Sequence, residues 1–352
     1  MGDLENILIE HAKRYPLMEP SDAVKLIYQS VFGGGHMISE PSDVLPRIRD
    51  EYMSCKHREG ALHTECLGGT ARIYLDTELT EGNLGVIARL FMESAKRYPH
   101  GYGLAGEAER WLFDSRISKL RQLCREGVFP FGTETLDEYL ANYRERGCPS
   151  VSHSEVYREA YKPSYRVIDG RYARLLDCIF SIAELLSTGE RTVLAIDGRA
   201  ASGKTTAAEL IADIFNASVI HMDDFFLPRE LRTAERMAEV GGNIHYERFK
   251  DEVIPNLRTG KPFYHKVFDC SHFDFAEEPK KIEPARLIIC EGSYSHHPIF
   301  GKYYDIAYFS DVDPETQRQR IKERNGEAML SRFVNEWIPM EERYFASLDK
   351  SR

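Results

Sequence analysis

Residues 192–206 read Thr-Val-Leu-Ala-Ile-Asp-Gly-Arg-Ala-Ala-Ser-Gly-Lys-Thr-Thr, and this stretch decides the fold of the C-terminal half of the chain. Residues 198–205 match the pattern G-x-x-x-x-G-K-[ST] of the phosphate-binding P-loop (Walker A) motif without a mismatch. The apolar run before the motif predicts a strand, and residues 205–214 after it predict a helix. Strand, glycine-rich loop and helix in this order are the context that the motif requires, so we predict a nucleotide phosphate site here.

Each residue type in this loop has a chemical reason. Glycines let backbone N–H groups turn inward around a phosphate, because no Cβ atom stands in the way. We expect Lys204 to reach the β- and γ-phosphates of ATP, and the Thr205 hydroxyl to ligate Mg²⁺. The predicted nucleotide-binding residues are Gly198, Ala200, Ala201, Ser202, Gly203, Lys204, Thr205 and Thr206.

Short apolar runs alternate with helical runs on both sides of the loop. The predicted strands are 192–196, 217–221, 285–290 and 306–309, and the predicted helices are 205–214, 246–256, 314–323 and 328–347. This alternation is typical of βαβ units, so we predict an α/β P-loop NTPase fold with a central parallel sheet and flanking helices over residues 166–352. Residues 1–165 carry mainly helical patterns with some strand, and we expect an accessory α+β domain there.

The composition restricts the classes of partner. The chain has 352 residues, enough for about two domains, and a net charge of -10, which disfavours nucleic acid. Its seven cysteines form no C-x-x-C pair, as in proteins with reduced thiols. No apolar run approaches the ~18 residues of a membrane span, and the first residues lack the pattern of a signal peptide. We therefore expect a cytoplasmic protein with a small-molecule substrate, and homo-oligomerisation stays open.

Phosphoryl transfer also needs a group that orients the attacking hydroxyl, a Mg²⁺ site and positive charge over the phosphoryl group. Asp223 follows the strand 217–221 and is placed to accept a hydroxyl proton, although a turn aspartate would look the same. Glu291 ends the strand 285–290 and, with Thr205 and Asp223, completes the predicted Mg²⁺ set. Arg320 and Arg324 stand one helical turn apart and could clamp phosphate or form a solvated face.

Two other nucleotide-dependent classes fit the sequence less well. The chain has no N-K-x-D guanine-reading motif, which a GTPase is expected to carry. The strand 285–290 is followed by Glu-Gly at 291–292, instead of the Asp-Glu that is common in motor ATPases. A small-molecule kinase is the class that remains.

The motifs in combination resemble the uridine kinase and phosphoribulokinase branch of P-loop kinases. They are Ile-Asp-Gly-x-x-x-Ser-Gly-Lys-Thr-Thr at 196–206, Asp-Asp-Phe-Phe at 223–226, the strand ending in Glu-Gly at 291–292, and the arginine-rich segment 318–324. The resemblance spans about residues 191–348 and implies transfer of the γ-phosphate of ATP to a hydroxyl, in uridine kinases that of a nucleoside. It also implies a catalytic carboxylate at Asp223, a Mg²⁺-organising Glu291 and lid arginines among Arg318, Arg320 and Arg324. Asp-Asp-Phe-Phe is similar to the nicotinamide riboside kinase version as well.

The resemblance indicates substrate residues less clearly. Tyr264 and His272 are the nearest matches to a tyrosine and a histidine of the family. His245 stands where uridine kinases place an aspartate that binds ribose hydroxyls, and a neutral imidazole accepts one hydrogen bond where a carboxylate accepts two or more. A kinase of another small alcohol (pantothenate, a sugar phosphate, glycerate or nicotinamide riboside) therefore stays open, as does a nucleotide-sensing regulator without transferase activity.

Two glycine-rich segments lie outside the resemblance. His36 follows Gly33–Gly35 and Arg72 follows Gly68-Gly69, so these side chains either line a ligand site or belong to tight turns of a packing or dimerisation domain. Residues 101–106 match G-x-G-x-x-G but follow a helical pattern instead of a strand, and we expect a loop there.

Overall fold

The computed structural model describes residues 2–60, 62–98, 101–269 and 272–348. The chain divides into two compact units, Met1–Asp177 and Cys178–Arg352. The first unit continues past residue 165, where the sequence patterns place the domain boundary. It does so because the strand Tyr165–Asp169 pairs with Thr70–Tyr74, far earlier in the chain.

The first unit is mainly helical and contains one small antiparallel sheet. Its helices are α1 (Gly2–Arg14), α2 (Pro20–Phe32), α3 (Pro41–Ser54), α4 (Glu81–Ala95), α5 (Glu107–Arg125), α6 (Thr133–Glu145), α7 (Glu155–Tyr161) and α8 (Gly170–Ala173). The sheet has the order β1-β2-β3, with β1 (Thr64–Cys66), β2 (Thr70–Tyr74) and β3 (Tyr165–Asp169). Residues 101–106 form a loop with a 3₁₀ turn at Tyr102–Leu104.

Helix α2 lies inside the first unit. Pro20 occupies its first turn, and a capping box between Glu19 and Asp22 satisfies backbone N–H groups at its start. Nearly every residue of α2 is buried, and its apolar side chains join a core that also includes residues of α1, α5 and α6. Because burial extends around the whole helix, its polar side chains are enclosed as well.

The second unit alternates strands and helices. After α9 (Leu176–Ser187), which crosses the boundary between the units, it contains β4 (Thr192–Gly198), α10 (Lys204–Phe215), β5 (Ser218–His221), α11 (Ala234–Ala238), α12 (Tyr246–Arg248), β6 (Phe263–His265), β7 (Phe268–Asp269), β8 (Asp274–Phe275), β9 (Lys280–Ile282), β10 (Leu287–Glu291), β11 (Ile306–Ser310), α13 (Pro314–Arg332) and α14 (Ile338–Leu348). Helix α12 continues into a π-helical turn at Phe249–Val253, and another at Phe333–Trp337 joins α13 to α14.

The central sheet confirms the predicted fold class. Its four strands are parallel in the order β11-β4-β10-β5, and they match the four predicted strands within two residues or fewer at each end. Strands β4 and β10 lie in the middle of the sheet and are buried along their whole length. Their carboxyl ends meet at one edge, where Glu291 is in register with Ile196 and His221.

Two antiparallel strand pairs, β6 with β9 and β7 with β8, lie outside this sheet and were not predicted. Each of these strands has only two or three residues, which is too short to show a periodic pattern. In the described ranges, no helix combines the length and the apolar character needed to cross a bilayer.

Candidate active site

The loop between β4 and α10 contains two glycines with positive φ angles, as a loop that folds around a phosphate would need. Gly198 and Gly203 have φ values of 139° and 99°, a region in which residues with a Cβ atom are strained. A Cβ atom on Gly198 would lie 1.9 Å from the carbonyl oxygen of Ser310 on β11. The Ser202 Oγ atom is buried and has no hydrogen-bond partner among the described residues. The loop therefore offers a polar group to a ligand, as a nucleotide site requires.

Lys204 lies across the loop. Its Nζ donates to the carbonyl oxygens of Gly198 at 2.9 Å and Arg199 at 2.8 Å, and the side chain is buried. A phosphate oxygen is a stronger acceptor for an ammonium group than a carbonyl, because the hydrogen bond is charge-assisted on both sides. The amine therefore stands where it can exchange these carbonyls for a bound phosphate.

Thr205 and Glu291 meet at the carboxyl edge of the sheet. The Thr205 hydroxyl lies 3.3 Å from both carboxylate oxygens of Glu291, which is buried. His221, at the end of β5, donates from Nδ1 to Glu291, and this hydrogen bond raises the pKa of His221. A hydroxyl and a carboxylate side by side are ligands that Mg²⁺ prefers, so these residues fit the predicted metal set. His221 was not among the predicted site residues, although it ends a strand two positions before Asp223.

Asp223 and Asp224 differ in their contacts. Asp224 accepts a hydrogen bond from His265 at 2.9 Å and lies 3.8 Å from Lys280, so its carboxylate is committed to neighbouring residues. The Asp223 carboxylate accepts no hydrogen bond from the described residues. Its side chain is exposed to solvent, although protein atoms crowd around the carboxyl group. Desolvation there, followed by repulsion from Glu291, raises the pKa of Asp223.

Helix α13 contacts the phosphate loop through its first turns. Gln317 is buried and donates to the carbonyl of Ala200 at 3.1 Å, and Arg320 donates to the carbonyl of Ala201 at 3.1 Å. Arg324, one turn further along, is exposed and donates to the adjacent Asn325. The structure therefore brings Arg320, but not Arg324, to the loop.

Helix α14 brings a carboxylate to the same loop. Glu341 is buried, accepts from the backbone N–H of Ala200 at 3.0 Å and accepts from the hydroxyl of Ser293 at 2.8 Å. Burial raises the pKa of Glu341, while the nearby charge of Lys204 acts in the opposite direction. The sequence analysis missed Glu341, because it lies in a helix without a motif and far from the loop along the chain.

Asp197 anchors the start of the loop and was also missed. It is fully buried and accepts four hydrogen bonds. The donors are the backbone N–H groups of Gly198, Tyr294 and His296 and, at 2.6 Å, the hydroxyl of Tyr344 on α14. A carboxylate with this many donors is held rigidly, so it connects the end of β4 to the segment after β10 and to the last helix.

The predicted substrate residues occupy different environments. His245 is half-buried, its backbone N–H donates to the carbonyl of Phe225 at 2.7 Å, and burial lowers the pKa of its ring. Tyr264 is 58% exposed, and its neighbour His265 faces Asp224, so Tyr264 points to the opposite side of β6. His272 is exposed and pairs with Asp269 at 2.8 Å. Of the three, only His245 adjoins the segment that carries Asp223.

Comparison with known proteins gives a partial match. No protein-family model matches the chain. Uridine kinases from two strains of Staphylococcus epidermidis are each 23% identical over 175 residues, which is 46% of this chain and 84% of theirs. Among solved structures, a candidate fructose transport system kinase from Silicibacter sp. TM1040 is 20% identical, covers 45% of this chain and 85% of its own, and has a TM-score of 0.39. A D-glycerate 3-kinase from Cryptococcus neoformans var. grubii is 15% identical, covers 44% and 78%, and has a TM-score of 0.32.

The chain is thus similar to uridine kinases over somewhat less than half of its length. Its parallel sheet with flanking helices is the fold of P-loop kinases.

Proposed function

We propose that this chain, similar in part to uridine kinases, is an ATP-dependent phosphotransferase that transfers the γ-phosphate to a hydroxyl of a small molecule, with a nucleoside as the first candidate acceptor. The observation that carries the proposal is the position of Asp223. Its carboxylate is unpaired among the described residues, yet close enough to Lys204 and Glu291 for their charges to shift its pKa. A free carboxylate beside a phosphate cradle is what transfer to a hydroxyl requires.

The residues around the loop have separate roles in this proposal. Lys204 and Arg320 provide positive charge at the phosphates of ATP, and the backbone N–H groups of residues 200–206 bind the phosphate oxygens. Thr205 and Glu291, with Asp223, would hold Mg²⁺, which when bound neutralises charge on the β- and γ-phosphate oxygens.

Asp223 is proposed to orient the acceptor hydroxyl and to accept its proton. The hydroxyl oxygen forms the new bond to the γ-phosphorus, the bond from this phosphorus to the β–γ bridging oxygen breaks, and ADP leaves. Desolvation raises the pKa of Asp223, which makes its carboxylate a better proton acceptor than an aspartate with the usual pKa.

One observation supports a second candidate for the acceptor. His245 adjoins the Asp223 segment, and its lowered pKa keeps the ring neutral at neutral pH. A neutral imidazole accepts a single hydrogen bond, whereas two adjacent ribose hydroxyls are better matched by a carboxylate. This chemistry supports an alcohol with one hydroxyl near position 245 as the second candidate acceptor.

Acceptor-dependent release of ADP tests the proposal. The purified chain is assayed with ATP, Mg²⁺ and a panel of uridine, cytidine, nicotinamide riboside, pantothenate, glycerate and a sugar phosphate. With the best acceptor, Asp223→Asn should lower turnover by about 10²-fold or more, because the carboxylate acts on the hydroxyl, and weaken ATP binding much less, because Lys204, Thr205 and Glu291 remain at the nucleotide site. Asp251→Asn removes an exposed carboxylate and serves as the control.

Two results would contradict parts of this assignment. Turnover of Asp223→Asn within about threefold of wild type would exclude Asp223 as the proton acceptor. ATP binding without any acceptor-dependent ADP release across the panel would instead support a nucleotide-sensing regulator.

A further inference from the structure

Helix α2 carries an amine and an amide into the interior of the first unit. Lys25 and Gln29 are four positions apart on α2, so their side chains share one face. Their exposed fractions are 7% and 0%. Arg72 on β2 is 1% exposed, and its Nε and Nη2 atoms donate to Oε1 of Gln29 at 3.1 and 2.7 Å. Two cationic side chains and an amide therefore meet in a place that a protein core normally reserves for apolar groups.

The carboxylates of this cluster already have their hydrogen bonds. Asp22 accepts four and Glu65 accepts three from the described residues. The donors to Asp22 are Glu19, His153 and Ser154, and the donors to Glu65 are His11, Arg72 and Tyr74. Neither carboxylate is therefore directed at Lys25 or at the amide nitrogen of Gln29.

Among the described residues, this cluster contains more N–H donors than hydrogen-bond acceptors. Lys25 Nζ donates to the carbonyl of Val151 at 2.7 Å, and its other N–H groups have no acceptor among the described residues. The Gln29 Nε2 atom is buried and likewise lacks a partner there. The orientation of this amide is determined, because Oε1 accepts twice from Arg72 and lies 3.2 Å from the Tyr165 hydroxyl. Buried N–H groups without acceptors are rare in native proteins. We therefore expect a ligand with several hydrogen-bond acceptors to bind to this cluster.

The charges point to an anion as this group. Burial, and then the positive charge of Arg72, lower the pKa of Lys25 to about 8, and the negative charge of Asp22 offsets this only in part, so a further negative charge beside the amine would stabilise it. His36 is half-buried, its ring lies 5.4 Å from that of Tyr28 on α2, and it is near enough to Lys25 for the charge of that residue to act on it. Burial and the charge of Lys25 lower the pKa of His36 to about 4, so it is neutral and leaves the positive charge to Lys25 and Arg72.

We propose that Lys25, Gln29 and Arg72 form a binding site for the phosphate group of a small molecule, with His36 at its edge. A phosphate fits better than a carboxylate, because the unused N–H groups of Lys25 and Gln29 outnumber the two oxygens of a carboxylate, whereas a phosphate has three strongly accepting oxygens. Both residues that the sequence analysis singled out in this half, His36 and Arg72, belong to the site. It is separate from the phosphate loop, which lies in the second unit.

Calorimetric titration with inorganic phosphate at low ionic strength tests this site. The titration uses the full chain with the substitution Lys204→Met, which removes the lysine of the phosphate loop and so weakens phosphate binding at that loop. We expect this variant to bind phosphate. Adding Lys25→Met should weaken the remaining binding by about tenfold or more, through loss of a charged donor. Lys96→Met removes a lysine that is 68% exposed in the same unit, and it should leave phosphate binding unchanged.

Gln29→Glu is the second test variant and has nearly the same shape as wild type. The new carboxylate still accepts from Arg72, so the fold is retained, but it removes the free N–H groups and repels an oxyanion. Phosphate affinity should fall by about tenfold or more, while circular dichroism and the melting temperature show a folded chain. Two outcomes overturn the proposal: no phosphate binding by Lys204→Met, which would leave water as the occupant, or binding that neither Lys25→Met nor Gln29→Glu weakens.

Discussion

Glu341 places a negative charge where the phosphates of ATP are expected to bind. Its carboxylate accepts from the N–H of Ala200, one of the groups that form the cradle. Glu341→Gln removes the charge and keeps the contacts, because the amide oxygen can accept from Ala200 and the amide nitrogen can donate to the Ser293 hydroxyl. We therefore predict that Glu341→Gln binds ATP more tightly than wild type does.

The size of this effect follows from the charges around the loop. Two like unit charges roughly 4 Å apart repel by about 4 kcal/mol at the effective dielectric constant of ~20 that describes protein sites. Lys204 lies close enough to Glu341 to shift its pKa and offsets part of this repulsion. We therefore expect the free energy of ATP binding to become more favourable by about 1–2 kcal/mol in Glu341→Gln, which corresponds to roughly 5- to 30-fold tighter binding.

Calorimetric titration with ATP and Mg²⁺ measures the effect directly. The substitution should leave the melting temperature equal or higher. Because the pKa of Glu341 is raised in the folded chain, its ionised form costs stability at neutral pH. Glu209→Gln, on the exposed face of α10, is the matched control and should change ATP affinity by less than about twofold. Unchanged or weaker ATP affinity of a fully folded Glu341→Gln would refute the reasoning.

Three further predictions concern other contacts. Arg320→Met should lower kcat/KM for ATP by about tenfold and Arg324→Met by less than about threefold, since only Arg320 contacts the loop; equal losses in steady-state kinetics would contradict this. Tyr344→Phe removes the hydroxyl that donates to Asp197 and should cost about 1.5–3 kcal/mol in urea unfolding, so a loss below about 0.5 kcal/mol would argue against that bond. Between its folded pKa of about 8 and its unfolded pKa of ~10.4, Lys25 binds its proton more tightly in the unfolded chain, so stability rises with pH. From pH 8 to ~9.5 the rise should be about 1.5 kcal/mol by chemical denaturation, and an equal rise in Lys25→Met would exclude Lys25 as its source.

The sequence predicts the phosphate loop and its sheet because their determinants are local. Gly198 and Gly203 are needed for positive φ angles within a few residues of each other, and the strand and helix beside them show their own periodicity. The strands that end at His221 and Glu291 are apolar runs, so they too can be recognised without knowledge of the rest of the chain. All of these features follow from short stretches of the chain.

The contacts that complete the site depend on distant parts of the chain. Glu341 reaches Ala200 only because α14 packs against the loop, and no pattern near either residue indicates this. The side-chain orientation in β6 is likewise not indicated by the nearby sequence, because a strand of three residues cannot show whether Tyr264 or His265 faces inward. The strand Tyr165–Asp169 belongs to the first sheet through pairing with a strand far away in sequence, and no pattern near residue 165 indicates this pairing.

The close approach of Gly198 to Ser310 has a consequence for genetics. A single methyl group at position 198 would collide with the backbone of the neighbouring strand, so even Gly198→Ala must push β4 and β11 apart at the mouth of the loop. An allele that encodes alanine there would therefore distort the phosphate loop through one added carbon. In a complementation experiment it would separate cellular phenotypes that need this loop from those that need only the other half of the polypeptide.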